Sequence, residues 1–148
     1  MSTFTQILYQ IVFSTKKGER TMNYENSEKL YHYIWGVLKN KNCILYQLNG
    51  TEDHLHILMH LHPSISLSSI VKDIKVSSSQ LIKQEKLFPY FTSWQEGYGA
   101  FTYHINQKEV LLNYIKGQRE HHHKKTFKEE LIELLQEHGI EFDEKYLL

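Results

Sequence analysis

From Thr5 to Thr15 the chain reads TQILYQIVFST, with Ile7, Tyr9, Ile11 and Phe13 at every second position. Side chains two apart share one face of a strand, and the β-branched content agrees, so the spacing predicts a first strand. In NSEKLYHYIWGVLKN the period changes: Leu30, Ile34, Val37 and Leu38 fall at helical spacing, with Asn26 or Ser27 as candidate caps. CILYQLNG reads as a strand ending in a turn at Asn49-Gly50, and a partner strand starts near His54, which makes a hairpin. After Pro63, Ser66 can cap a helix that buries Leu67, Ile70, Val71, Ile74 and Leu81. GYGAFTYHI is a further strand, with Gly97 and Gly99 marking a bend or a close approach. Asn106 and Glu109 have the spacing of a capping box for a helix through about Gln118. Thr126 and Glu129 repeat the cue for a last helix with Phe127, Leu131, Leu134 and Leu135 on its stripe and a stop at Gly139.

The element order is β-α-β-β-α-β-α-α. Its first six members match the ferredoxin-like arrangement βαββαβ, an α/β (α+β) fold in which an antiparallel sheet carries helices on one face; C-terminal helices follow. At 148 residues, with no internal repeat or convincing linker, the chain fits one domain spanning 1–148.

Composition adds a few exclusions. The single cysteine, Cys43, rules out a disulfide framework and a cysteine-based zinc knot. The N-terminal segment lacks a basic start followed by a long apolar core, and no run approaches membrane-spanning length, so a soluble cytoplasmic protein is expected. The 17 basic and 17 acidic residues balance, but unevenly: Glu129 to Leu148 carries a local charge of −6 and residues 1–128 carry +6. A basic body permits a polyanionic partner, and solvated surface accounts for the charge equally well.

The segment TEDHLHILMHLHP contains His54, His56, His60 and His62. On a strand His54 and His56 project together while Leu55 and Ile57 face the other way. Imidazoles about 7 Å apart at Cα can converge on one metal with bonds of about 2.1 Å. The repeat at His60 and His62 leaves open that any of them is a hydrogen-bonded structural residue. Two rival chemistries fail on the letters. A histidine-triad nucleotide hydrolase needs a third histidine where Leu58 stands, and a zincin needs a glutamate between helical histidines. Further on, in VLLNYIKGQREHH, Tyr114 and Gln118 lie one helical turn apart, so a phenol and a carboxamide face the same way. Tyr114 packed in the core is the alternative, although Leu111, Leu112 and Ile115 already supply an apolar face.

Taken together, YQIVFSTKKGER, GTEDHLHILMHLHPSISLSSIVKDIKVSSSQLI and the stretch from WQEGYGAFTYHINQ to EFDEKY resemble, in order and spacing over nearly the whole chain, the single-tyrosine transposases of small insertion sequences. These belong to the HUH endonuclease class, named for its His-hydrophobic-His motif. The resemblance implies that His54 and His56, rather than His60 and His62, hold a divalent metal, Mg²⁺ or Mn²⁺, with Gln118 as third ligand. Tyr114 on the C-terminal helices is the implied nucleophile. The implied activity is cleavage and rejoining of single-stranded DNA through a 5′-phosphotyrosine, with recognition of hairpins at element ends. The implied assembly is a homodimer in which the Tyr114 helix, weakened by Gly117, can serve the partner's histidines.

A basic surface with stacking aromatics follows from such a substrate. Lys16, Lys17, Lys72, Lys75, Lys116 and Arg119 are candidate phosphate contacts, each with solvated surface as the plain alternative. Trp94, Tyr98, Phe101 and Tyr103 either stack on bases or fill the core and sheet face. The segment TYHIN departs from the small residues common in the family, which leaves His104 as an extra polar group near the site or a surface residue. His121, His122 and His123 read as polar or interface residues. Two other functions use similar residues: a rolling-circle replication initiator or relaxase, which usually needs more chain, and a domesticated hairpin-DNA-binding protein that no longer cleaves.

Overall fold

The computed structural model describes residues 1–122 and 124–147, without the side chains of His121 and His122. Four strands, β1 (Leu8–Ser14), β2 (Ile44–Gly50), β3 (His54–His60) and β4 (Gly99–Tyr103), form one antiparallel sheet in the order β2-β3-β1-β4. With α1 (Ser27–Asn40) between β1 and β2, and α2 (Leu67–Glu85) between β3 and β4, this is the ferredoxin-like arrangement expected from the pattern. Three further helices follow: α3 (Lys108–Lys116), α4 (Gln118–His122) and α5 (Phe127–Glu137).

Alternation along the two central strands divides the core. Ile11 and Phe13 of β1 and Leu55, Ile57 and Met59 of β3 face one way, onto Leu30, Ile34 and Leu38 of α1 and Ile70, Val71 and Ile74 of α2. The opposite face meets the C-terminal helices in two apolar clusters. Leu8 and Leu58 pack with Leu111 and Ile115 of α3, whereas Val12 and Phe101 pack with Phe127, Leu134 and Leu135 of α5. The polar residues of that face, Gln10, His54 and His56, are buried under this second layer. The register sets Val12 opposite His56 and Ser14 opposite His54, in the middle of the sheet, where both edges of β3 are paired.

Several local expectations shift. The first strand spans Leu8–Ser14 rather than Thr5–Thr15, and β4 is confined to Gly99–Tyr103. Asn49 and Gly50 end β2 and the turn falls on Thr51–Asp53; a Cβ at Gly50 would come within 2.3 Å of the His54 carbonyl oxygen, so the glycine serves close approach. Neither Asn26 nor Ser27 caps α1 through its side chain; Asn23 caps the 3-10 turn that leads into it. Ser66 does cap α2, whose buried stripe runs on through Ser78 and Ile82 while Leu67 and Leu81 are half-buried. His104, not Asn106, caps the turn before α3, because its Nδ1 accepts the Asn106 N–H at 3.2 Å while Gln107 closes the box. The helix expected to reach Gln118 breaks at Gly117. Thr126 and Glu129 form the expected capping box, and Gly139 adopts φ +65° just past α5. Of the histidine run, His123 and the side chains of His121 and His122 lie outside the described residues.

Among the described residues, no helix is long and apolar enough to cross a membrane.

Candidate active site

The turn at Thr51–Asp53 delivers His54 already oriented. Its Nδ1 lies 2.9 Å from Thr51 Oγ1 and 2.7 Å from Asp53 Oδ1, and Thr51 Oγ1 donates to Asp53 Oδ1. The ring stacks on Phe127 at 4.4 Å, and Nε2 points inward, 3.1 Å from Gln118 Oε1. His56 is held in the same manner from the other side. Its Nδ1 lies 2.8 Å from Gln10 Oε1, and Gln10 Nε2 donates to the Tyr103 hydroxyl at 3.0 Å, which fixes the amide. Both imidazoles therefore have their outer nitrogens engaged and their Nε2 atoms turned to a common point. This is how a carboxylate or amide partner orients a metal-binding histidine.

At that point sits the carboxylate of Glu130. Its Oε1 is 2.7 Å from His56 Nε2 and 3.4 Å from His54 Nε2, while Oε2 accepts from Gln118 Nε2 at 3.1 Å and from the Tyr114 hydroxyl. The donor atoms of His54, His56 and Glu130 lie within 4.8 Å of one another, all buried. Two imidazoles and a carboxylate suit a divalent cation, and the Gln118 carbonyl oxygen stands beside them. The sequence-derived set of Tyr114, His54, His56 and Gln118 thus comes together within one chain. A cavity of about 290 Å³ bounded by Gln10, Tyr103, Tyr114, Glu130 and Glu133 reaches the phenol.

The electrostatics follow from burial and these contacts. Burial alone would depress the His54 imidazole, but hydrogen bonds to Asp53 and Glu130 outweigh it and raise its pKa from 6.5 to about 9. Burial opposes ionisation of Glu130 too, yet bonds from His54, His56 and Tyr114 hold it far below the usual carboxylate range. Tyr114 is pushed well above an ordinary phenol, first by burial and then by the Glu130 charge.

Glu130 escaped the sequence reading, which counted it in an acidic tail and used only its neighbour Glu129. The signal was present. Residue 130 lies three after Phe127 and four before Leu134, on the apolar stripe of α5, where a carboxylate needs a partner. Gln10, Thr51 and Asp53 were missed for a plainer reason: each orients a histidine from a distant or irregular part of the chain.

The other histidines have structural tasks. His60 Nδ1 accepts the Ile7 N–H at 3.1 Å, and His62 Nδ1 accepts the Ser64 N–H at 3.1 Å. The candidate phosphate contacts are dispersed. Lys16 and Lys17 lie exposed on a 3-10 turn after β1, and Lys72 is exposed on α2. Lys75 is half-buried, its ammonium donating to the Gln95 and Gly97 carbonyls at 2.8 and 2.6 Å. Lys116 and Arg119 share one groove beside α1 and β2. Of the aromatics, Trp94 and Phe101 are core, Tyr103 is half-buried, and Tyr98 is exposed.

Comparison with known proteins bears on the fold and the family. No curated protein sequence matches the chain. A transposase candidate from Deinococcus radiodurans R1 has a similar structure, with a TM-score of 0.62 and 18% identity over 80% of this chain and 95% of that one. A REP-associated tyrosine transposase, solved bound to a REP hairpin, superposes with a TM-score of 0.59 and 14% identity over 79% of this chain and 72% of its own. At such identities these two share the fold. The sequence model of the family described as "Transposase IS200 like" matches residues 3–118, from ahead of β1 to the carboxamide that meets His54. The chain belongs to the IS200-like transposase family.

Proposed function

We propose that the protein cuts and rejoins single-stranded DNA at hairpins near the ends of a mobile element, with Tyr114 as nucleophile and a divalent cation, Mg²⁺ or Mn²⁺, as cofactor. The observation that carries this reading is the convergence of the Tyr114 hydroxyl, two histidine Nε2 atoms and the Gln118 carboxamide on the Glu130 carboxylate. His54, His56 and Glu130 would hold the cation, with Gln118 beside them. When bound, it supplies charge neutralisation and polarisation of a phosphate oxygen.

The rest is the work of side chains. The Tyr114 oxygen attacks phosphorus as the P–O3′ bond breaks, and the proton given up by the phenol is balanced by the one the departing 3′-oxygen takes up as it leaves as a hydroxyl. The product is a 5′-phosphotyrosine with a free 3′-end. Because the phosphodiester is exchanged rather than hydrolysed, the reverse attack rejoins strands without ATP. Burial beside Glu130 keeps Tyr114 protonated in the resting site. Hairpin recognition is supported by the similar REP-associated transposase that was solved with its REP hairpin. In this reading residues 1–148 act as one cytoplasmic domain.

Metal-dependent formation of a covalent protein–DNA adduct, followed by denaturing gel electrophoresis, is the direct test. His56→Ala abolishes the adduct, whereas His60→Ala retains most of it, since His60 serves only the Ile7 amide. Equal loss in two folded variants would overturn the ligand assignment.

We propose further that the protein is a homodimer in which each chain serves its own site. The family resemblance implies a helix shared between subunits, with Gly117 as a reason for it; the Asn49 Nδ2 bonds to the Ile115 and Lys116 carbonyls at 3.0 and 3.1 Å, which fasten the end of α3 to β2 of the same chain, support the alternative. A mixture of Tyr114→Phe and His56→Ala proteins, with subunit exchange demonstrated, therefore stays inactive. Recovered cleavage would establish a shared site.

A further inference from the structure

A groove of about 610 Å³ runs between α1, the edge strand β2 and the Gly117 break, on the side of β2 away from β3. Its walls combine aromatic faces with cations. Trp35 is 41% exposed, a high value for tryptophan, and Lys39 Nζ sits 4.8 Å from the centre of its ring. Across the groove, Tyr46 occupies the bulge between Leu45 and Gln47, where the register of β2 on β3 slips. A bulge re-aims a side chain, and Lys108 Nζ lies 4.8 Å over the Tyr46 ring. Lys116 and Arg119 close the end of the groove. The Arg119 guanidinium lies 4.0 Å over Tyr24 and is hydrogen-bonded to Tyr31. One acid, Glu28, also lines the groove, against four basic residues along its rim.

We infer that this groove holds the unpaired segment of a single-stranded DNA, with a base stacked on Trp35 or Tyr46 and the adjoining phosphates taken by Lys116 and Arg119. The inference deepens the proposed function and rests on its single-stranded DNA substrate. Each feature answers a part of such a ligand. Stacking platforms accept any base, and cations such as Lys116 and Arg119 track the backbone. The volume falls within the range of small-ligand pockets and suits one nucleoside. Placement gives the groove a purpose: Lys116 and Arg119 flank Gly117 and Gln118, so a strand leaving the groove passes the break that separates Tyr114 from the carboxamide beside His54. Asn49 ties that break to the groove wall.

Tryptophan fluorescence reads this directly, because the only other tryptophan, Trp94, is core. The full chain is titrated with a short oligothymidylate in the presence of EDTA, which prevents cleavage. Quenching is expected, and Trp35→Leu should abolish it and weaken binding roughly tenfold, with a similar loss for Tyr46→Leu measured by anisotropy of labelled DNA. Lys116→Gln should lower the slope of log affinity against log salt by somewhat under one unit. Unchanged affinity in both folded aromatic variants, while wild type binds, would overturn the groove and leave the proposed function standing. Failure of wild type to bind single-stranded DNA would overturn both. A blunt duplex bound as tightly, with the same losses in the variants, would overturn the assignment to an unpaired strand.

Discussion

Replacement of Tyr114 by phenylalanine abolishes the covalent adduct while binding of a single-stranded hairpin substrate stays within about twofold of wild type. The variant loses one oxygen, the proposed attacking atom, and little else changes around it. Leu111 and Ile115 continue to pin α3 to the sheet, and Glu130 keeps its contacts with His54, His56 and Gln118. Removal of the hydroxyl takes one donor from a carboxylate that retains three partners, so the fold is preserved. Parallel gels and anisotropy titrations on the two proteins check both halves. An adduct that persists in Tyr114→Phe would transfer the nucleophile to another of the ten tyrosines.

The second large effect is a dependence of metal affinity on pH. With a pKa raised to about 9, His54 in the metal-free protein is protonated at neutral pH, and a cation must displace that proton to reach its Nε2. Affinity for Mn²⁺ should therefore climb by up to about tenfold per pH unit from 7 to 9, roughly 100-fold in all, and then level off. Titration calorimetry in buffers of different ionisation enthalpy should find close to one proton released at pH 7, about half of one at pH 9 and almost none above about pH 10. Glu130→Gln removes one of the two carboxylates that raise His54, so it weakens binding and moves the plateau to lower pH. Affinity that is flat across this range would mean that His54 is not a ligand. The same shift acts on folding with a definite sign. Because the folded pKa lies above the unfolded one, the stabilisation is full below about pH 6.5 and is lost as pH rises through 9, on the order of 3 kcal/mol in all.

How much of this was legible in the letters depended on whether a residue's partner was local. The succession of strands and helices, the division of β3 into histidine and leucine faces, and the Ser66 and Thr126 caps all follow from periods of two and from spacings within one helical turn. Asn49-Gly50 misled because that dipeptide favours hairpin turns, whereas here the glycine is needed for close approach to the His54 carbonyl. His104 displaced Asn106 as a cap because an imidazole nitrogen can accept the same backbone N–H. Tyr114 and Gln118 were found from helical spacing and family resemblance. Helical spacing put Glu130 on the apolar stripe of α5 but could not name its partners, which lie 12 to 76 positions away in the chain and meet only when α5 crosses the sheet.

That crossing makes residues beyond the family match part of the site's walls. The family match stops at residue 118, yet Phe127 stacks on His54, Glu130 joins both histidines to Tyr114, and Leu134 and Leu135 cover Val12 and Phe101. A protein trimmed to the matched region would keep its tyrosine, both histidines and Gln118, and would still be recognised by sequence. It would also expose Val12, Phe101 and the two histidines to water where the intact protein covers them with α5. The matched segment contains the named parts, and the segment after it encloses them.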